Sequence, residues 1–372
     1  MLKIIADDAI PFLRGVFEPW AQVSYLPGAS IAQADLKDTD ALIIRTRTKC
    51  NAKLLSGTGV RIIASATIGM DHVDTVECEK LGIRCVNAPG CNAASVAQYM
   101  VSVLTADSVE TGRPLAGRTL GIVGVGHVGK KVAAAASALG MRVLLNDPPR
   151  VRAEGPEGFV ELDRILAESD FITMHTPLNR NYPDCTYHLA GEDFFLKAAR
   201  KPFFINASRG PVTDQNALKS ALITGRIRGA ALDVWEDEPD ISRELLDMVK
   251  IATPHIAGYS ADGKATGTAM AVRAVADFFG IKELADFHSE GVPAPEQPSI
   301  TVSTDRPVES AILSAYDVRR DDAALRNAPE NFERLRAQYP VRREFPAFRI
   351  ANADRLHASA RAILRALGFA GC

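Results

Sequence analysis

Thr119-Leu120-Gly121-Ile122-Val123-Gly124-Val125-Gly126-His127-Val128-Gly129 decides the fold of this chain. An apolar β-type run ends at glycines spaced G-x-G-x-x-G, and an alanine-rich, helix-prone stretch (128–139) follows. Glycines recur by chance, so the spacing alone is a weak signal; the strand before it and the helix after it supply the context. Gly124 permits the tight turn, Gly126 lets the backbone approach a pyrophosphate, and Gly129 lets the helix pack closely on the strand. The first amides of that helix then face anionic phosphates. The next apolar run, 142–146, ends at Asp147, at the distance where such loops place an acid for the adenosine ribose. A carboxylate there accepts hydrogen bonds from the ribose hydroxyls and repels the extra phosphate of NADP. The expectation is NAD, although Arg150 and Arg152 lie just beyond and weaken that exclusion.

Outward from this loop the same alternation repeats. Further β-type runs stand at 171–175, 202–206 and 229–234, with helix candidates at 161–168, 191–199 and 213–224. Strands alternating with helices indicate βαβ units and a doubly wound parallel sheet, here a Rossmann domain. Upstream, apolar runs at 2–6, 41–45, 61–66 and 83–87 predict a second parallel sheet, flavodoxin-like in kind. It ends at the break Asn87-Ala88-Pro89-Gly90, and a helix is expected over 92–107. A helix over about 260–279 is placed to cross back and complete the first domain. The expected organisation is therefore α/β, with a discontinuous substrate domain (1–92 and 258–280) and an NAD domain (93–257). A small α+β C-terminal domain (281–372) follows a Pro-rich turn at 291–300, with helical stretches at 316–326 and 331–340.

The whole chain is consistent with several packed cores. It has 372 residues, 47% hydrophobic and 24% charged, which suits two or three domains of a soluble protein. A net charge of -2 calls for neither nucleic acid nor a membrane surface as partner. No apolar run reaches the ~20 residues that span a bilayer, and the N-terminus lacks a signal-peptide pattern, so a cytoplasmic location is expected. The six cysteines are scattered without a CxxC pair, which argues against a disulfide framework and a zinc site; no metal is expected.

Three polar clusters follow predicted strands: Asn206-Ala207-Ser208-Arg209-Gly210, Asp233-Val234-Trp235-Glu236-Asp237-Glu238-Pro239 and Thr253-Pro254-His255-Ile256-Ala257-Gly258. Ligands of open α/β sheets bind beyond the carboxyl ends of strands, so these clusters are candidates for one site. Their residue types suit alcohol oxidation. The hydride goes to a nicotinamide, and the protein supplies a base for the proton. Histidine titrates near neutrality, a carboxylate orients it, and an arginine grips a substrate carboxylate in two-pronged fashion. Taken singly, an arginine is usually a surface charge and a histidine a satisfied core residue. In this order, behind a nucleotide loop, the functional reading prevails.

With these motifs in place, residues 1–280 resemble the D-isomer-specific 2-hydroxyacid dehydrogenases. The resemblance implies that Arg209, Glu238 and His255 are catalytic, with Glu236 and Asp237 as near decoys. It implies that Asp233 contacts the nicotinamide amide, that Thr176 in MHTPL touches the cofactor, and that His127, Val128, Ala207, Ser208 and Gly258 line its site.

Further matches narrow the resemblance to the branch that oxidises 4-phospho-D-erythronate with NAD in vitamin B6 (pyridoxal 5'-phosphate) biosynthesis. They are Arg45-Thr46-Arg47-Thr48-Lys49, Ala66-Thr67-Ile68-Gly69-Met70-Asp71-His72, Asn146-Asp147-Pro148-Pro149-Arg150, His255-Ile256-Ala257-Gly258-Tyr259-Ser260 and, in the tail, Tyr316-Asp317-Val318-Arg319-Arg320-Asp321-Asp322. By matched position, Thr46, Thr67 and Tyr259 are expected at the substrate. Arg45, Arg47 and Lys49 are candidates for its phosphate, as are Arg342 or Arg343 from the tail. His72 is expected to close a turn or cap the next helix. The tail is expected to form a homodimer contact. The alternatives are a phosphoglycerate- or glycerate-type dehydrogenase of the same family, and a non-catalytic NAD-sensing scaffold.

Overall fold

The computed structural model describes all 372 residues and divides into two compact units. Met1–Asn92 with Ser260–Pro293 form the first, and Ala93–Tyr259 with Ala294–Cys372 the second.

In the first unit five strands form one parallel sheet: β1 (Leu2–Asp7), β2 (Ala21–Leu26), β3 (Ala41–Ile44), β4 (Ile62–Ser65) and β5 (Arg84–Val86). Their order, β2-β1-β3-β4-β5, reverses direction between β1 and β3, as in flavodoxin-like sheets. β3 and β4 are buried on both faces, which is why they read as continuous apolar runs. The returning helix Ala261–Phe279 packs on this sheet through Ala271, Val272, Val275 and Ala276. Ser260 caps it, its hydroxyl accepting from the Gly263 amide at 2.8 Å. Gly267 is required there, because a Cβ would stand 2.4 Å from the Ala66 carbonyl oxygen.

The second unit carries β6 (Thr119–Val123), β7 (Arg142–Asn146), β8 (Phe171–Met174), β9 (Phe203–Asn206), β10 (Gly229–Leu232) and the two-residue β11 (Ile251–Ala252). They form a parallel sheet in the order β11-β10-β9-β8-β6-β7. The strand order reverses between β6 and β8, so the loops leaving these two strands flank the crevice where such sheets bind ligands. The helix Ala93–Thr111 is buried around most of its circumference. It lies between the helix His127–Ala138 and helices of the C-terminal segment.

The domain boundaries expected from the sequence shift in two places. Residues 281–293 go with the first unit, whereas Gly258 and Tyr259 stay with the second. The C-terminal segment is not a separate compact unit. It has local structure of its own: helices Pro307–Ala315, Val318–Asn327, Phe332–Ala337 and Ala358–Ala366, and a small parallel pair, β12 (Ser299–Ile300) with β13 (Arg349–Ile350). Its apolar residues are shared with the nucleotide-type sheet. Leu325 and Phe332 join the cluster of Leu245, Leu246 and Val249. Ala311, Ile312 and Val318 join that of the helix Ala93–Thr111. The Ser102 hydroxyl donates to the Tyr316 carbonyl at 2.9 Å and accepts from the Val318 amide at 3.0 Å. No helix is long and apolar enough to cross a membrane.

Candidate active site

Gly124 turns the chain at φ +90°, a conformation open to glycine. A Cβ there would lie 2.7 Å from the His175 carbonyl carbon, so the loops after β6 and β8 touch at the reversal of strand order. At Gly129 a Cβ would lie 2.2 Å from the Gly124 carbonyl oxygen, which fixes helix against turn. Gly126 differs: nothing lies within 4 Å of the position its Cβ would take. That open space sits at the N-terminus of the helix His127–Ala138, where no side chain caps the first amides. His127 is exposed and Val128 partly so. Across the reversal, the Thr176 hydroxyl oxygen is buried without a hydrogen-bond partner. A cradle free of Cβ, uncapped helix amides and an orphaned hydroxyl fit a dinucleotide.

Asp147, the acid expected at the ribose, closes this loop. Its Oδ2 accepts from the Val125 amide at 2.8 Å and its Oδ1 from the Arg150 amide at 3.1 Å, capping the short helix Pro148–Glu154. Each carboxylate oxygen keeps a second lone pair for a ribose hydroxyl. The two arginines that weakened the exclusion of NADP are both engaged. Arg150 donates to Glu154 at 2.5–2.8 Å and to the Val125 carbonyl at 2.9 Å, and Arg152 pairs with Asp184.

The three polar clusters sit at the ends of β9, β10 and β11. Asn206, the last residue of β9, shapes the first. Its Oδ1 accepts from the amide and hydroxyl of Ser208, and its Nδ2 donates to the Arg209 carbonyl and the Thr213 hydroxyl. Ser208 is therefore buried in the loop, while Ala207 and Arg209 are partly exposed. Arg209 is extended, and its Nη1 donates to the Ser208 carbonyl at 2.8 Å. Gly210 admits no side chain: a Cβ would stand 1.8 Å from the Trp235 carbonyl oxygen. The loop of Arg209 thus lies backbone to backbone against the turn that carries Glu238.

His255 Nδ1 and Glu238 Oε2 are 2.7 Å apart. The other carboxylate oxygen of Glu238 accepts from the Trp235 amide at 2.9 Å. Burial pushes the Glu238 pKa upward, but the bond and charge of His255, the Trp235 amide and the charge of Arg336 outweigh it and hold the carboxyl below its ordinary range. The network assigns the Nδ1 proton to the bond with Glu238, which leaves Nε2 as the basic nitrogen. His255 itself sits at φ +56°, a strained region for a residue with a Cβ.

Asp233 over-determines that backbone. It is 1% exposed. Its oxygens accept from the Thr253 hydroxyl (2.7 Å), the Ile256 amide (2.8 Å) and the Ala257 amide (2.9 Å), and its carbonyl accepts from the His255 amide (2.7 Å). Burial raises its pKa, the nearby His255 and these bonds opposing. Tyr99, fully buried, bonds its hydroxyl to that of Thr253 at 2.9 Å, and Trp235 Nε1 donates to the Thr253 carbonyl at 3.1 Å. Tyr99 escaped the sequence reading because it lies in an apolar helix, its only signal a polar atom in a stretch that has to be buried; Trp235 stood inside a polar cluster and was passed over for the acids around it.

Glu236, one of the decoys, pairs with His188 at 2.6 Å and with Gln215, away from His255. In the first unit, Thr46 and Thr67 follow the adjacent strands β3 and β4. Thr46 is exposed; the Thr67 hydroxyl is 2.8 Å from that of Ser65. Arg45 donates to the Ala9 carbonyl at 3.0 Å. The helix cap expected of His72 is supplied by Asp74, which accepts from the Glu77 amide, and His72 contributes its carbonyl to the Cys50 amide. In the tail, Arg342 does not reach outward. It is buried, its Nη2 donating to the Ser95 hydroxyl (2.8 Å) and the Ala257 carbonyl (2.5 Å). The tail arginine beside Tyr259 is Arg336, whose Nη2 is 3.4 Å from the phenol oxygen.

Comparison with known proteins places this geometry. Residues 92–257 match the D-isomer specific 2-hydroxyacid dehydrogenase NAD binding domain, and residues 292–368 match a domain of unknown function. The chain is 49% identical to the erythronate-4-phosphate dehydrogenase of Bacteroides thetaiotaomicron, over 94% of this chain and 99% of that one. It is 43% identical to that of Porphyromonas gingivalis, over 99% and 100%. The chain belongs to the erythronate-4-phosphate dehydrogenase family. Among solved structures, a D-lactate dehydrogenase from Aquifex aeolicus, complexed with NAD and lactic acid, superposes with a TM-score of 0.62 at 25% identity, over 77% of this chain and 98% of that one. As a member of the erythronate-4-phosphate dehydrogenase family the protein is an NAD-dependent oxidoreductase, and its parallel-sheet architecture is that of the D-2-hydroxyacid dehydrogenases.

Proposed function

We propose that the protein oxidises 4-phospho-D-erythronate to 2-oxo-3-hydroxy-4-phosphobutanoate, as a step of pyridoxal 5'-phosphate biosynthesis. The observation that carries this reading is the likeness to erythronate-4-phosphate dehydrogenases over 94–99% of the chain, C-terminal segment included. NAD, when bound, supplies the acceptor for the C2 hydride. The residues to hold it are Gly124, Gly126, His127, Val128 and Gly129 at the pyrophosphate, Asp147 at the ribose, and Thr176, Ala207, Ser208, Asp233 and Gly258 toward the nicotinamide.

The chain's own chemistry is proton transfer and charge placement. Arg209 grips the substrate carboxylate and polarises the carbonyl as it forms. His255 Nε2 takes the C2 hydroxyl proton, and Glu238, 2.7 Å from Nδ1, stabilises the imidazolium that results. Thr46, Thr67 and Tyr259 are proposed as hydroxyl contacts to the substrate's anionic groups, with Arg45, Arg47 and Lys49 as candidates for the phosphate. The protein is proposed to act in the cytoplasm as a homodimer through its C-terminal segment.

The deciding experiment follows NADH formation with 4-phosphoerythronate and with 3-phosphoglycerate, for the parent and for His255→Ala. Turnover on phosphoerythronate alone, lost in the variant, supports substrate and base together. Turnover on phosphoglycerate instead keeps the mechanism and refutes the substrate.

A further inference from the structure

Tyr259 is four residues beyond His255 and belongs to the same unit as the C-terminal segment. Its ring is not packed on that segment by apolar contact alone. Tyr339 meets it edge-on with centroids 6.1 Å apart, and the guanidinium carbon of Arg336 lies 5.9 Å from its centroid. Arg336 Nη2 is 3.4 Å from the phenol oxygen, and Nη1 is held at 3.2 Å by Glu333. Arginine has donors and no acceptor, so at this contact the phenol oxygen accepts and its proton is directed away from the guanidinium. Arg336 Nε is buried and makes no hydrogen bond, a costly position for a cation that serves packing alone. Below the same loop, Arg342 fixes the Ala257 carbonyl at 2.5 Å while Asp233 fixes the Ala257 amide. The segment from Ala294 onward therefore grips the stretch that carries His255 and Tyr259 through two arginines.

We propose that Arg336 is a positioning residue for the reaction: by holding the Tyr259 hydroxyl it orients that group toward an anionic oxygen of the substrate, which makes the C-terminal segment part of substrate selection. This rests on reading Tyr259 as a substrate contact. A helix that only filled space against Tyr259 would do so with a leucine at position 336. An arginine adds a fixed positive charge, and that charge also favours the ionised form of Glu238.

The test is a double-mutant cycle on the full-length holoenzyme: Arg336→Gln, Tyr259→Phe and the two combined, with Arg336→Lys alongside. The expected result is a KM for 4-phosphoerythronate raised about tenfold or more in Arg336→Gln, with most of it recovered in Arg336→Lys. The double variant is expected to be no worse than Tyr259→Phe alone, the mark of two residues acting as one unit. NADH affinity, read by fluorescence titration, is expected to stay within about twofold of the parent, since Arg336 acts on the hydroxy acid. Parental KM in Arg336→Gln, effects that multiply in the double variant, or a parallel loss of NADH affinity each overturn the proposal. Should Arg336→Gln fail to fold, Arg336→Met, which keeps the apolar stem and removes the donors, completes the cycle with the same criteria. The cycle runs on whichever hydroxy acid the parent turns over, so a wrong substrate assignment appears in the parent and is distinct from failure at Arg336.

Discussion

Glu238 binds His255 with one carboxylate oxygen and the Trp235 amide with the other, so the orientation of the imidazole is tied to the main chain of the same turn. The first prediction follows from that division. His255→Gln should lower kcat by about 10²–10⁴, the range that positioned acid–base groups supply. Glu238→Gln should lower it less, by at least about tenfold, because Gln keeps the Trp235 contact but offers no charge to the imidazolium. NADH titration should show parental affinity in both variants. A Glu238→Gln enzyme with parental kcat would remove Glu238 from the mechanism.

The same carboxylate predicts a pH dependence of stability. Its pKa in the folded protein is depressed, so the unfolded chain takes up the proton first as pH falls. The stabilisation from Glu238 is therefore complete above the unfolded value of about 4.3 and is lost as pH falls through the lower folded value. Thermal unfolding followed by circular dichroism should give Glu238→Gln a lower Tm than the parent at neutral pH. The gap between the two curves should narrow as pH falls below about 4.3. Curves that stay parallel through that range would refute the depressed pKa.

The three loop glycines should separate fold from cofactor. Gly124→Ala and Gly129→Ala place a Cβ 2.7 Å and 2.2 Å from backbone atoms, so both should lose Tm as well as NAD binding. Gly126→Ala meets nothing within 4 Å and should keep the parental Tm. It should nonetheless weaken NAD by about tenfold or more, because its methyl group stands where the pyrophosphate approaches. Calorimetric titration with NAD checks this. Parental affinity in Gly126→Ala would move the pyrophosphate elsewhere.

Asp147 should set the choice of dinucleotide. Arg150 and Arg152 are committed to Glu154 and Asp184, so the local charge facing a 2'-phosphate is the Asp147 carboxylate. Asp147→Asn should shrink the preference for NAD over NADP, measured as the ratio of kcat/KM, by about tenfold or more. Since Oδ2 also holds the Val125 amide, some loss of NAD affinity should accompany it. An unchanged ratio would show that steric fit, not charge, excludes NADP.

What was legible in the sequence was local. The strand–glycine–helix unit at 119–138 is set by adjacent residues, and the polar clusters around Arg209, Glu238 and His255 each follow a strand. What was not legible depends on partners far along the chain. β2 was missed because it is an edge strand, half-buried, with Gln22 and Ser24 interrupting its apolar residues. β11 is only Ile251–Ala252, too short for any pattern. The C-terminal segment looked like a separate module because a Pro-rich turn precedes it and its helical stretches replace the regular β pattern. Nothing local to Leu325 or Phe332 announces that their apolar neighbours are Leu245 and Val249. Arg336, in the charged stretch Phe332–Ala337, reads as a surface residue until Tyr259 is beside it. Likewise Glu236 and Glu238 are equivalent by spacing, and the fold separates them by giving one to His188 and the other to His255.

The missing Cβ of Gly210 has a consequence for redesign. Because the Arg209 loop and the Trp235–Glu238 turn meet main chain to main chain, the backbone spacing between these two segments is a dimension of the scaffold. Changes of substrate length should therefore be sought outside these two segments. A library aimed at longer or shorter hydroxy acids should leave 206–210 and 233–238 untouched, because a side chain added at their joint would push the two main chains apart.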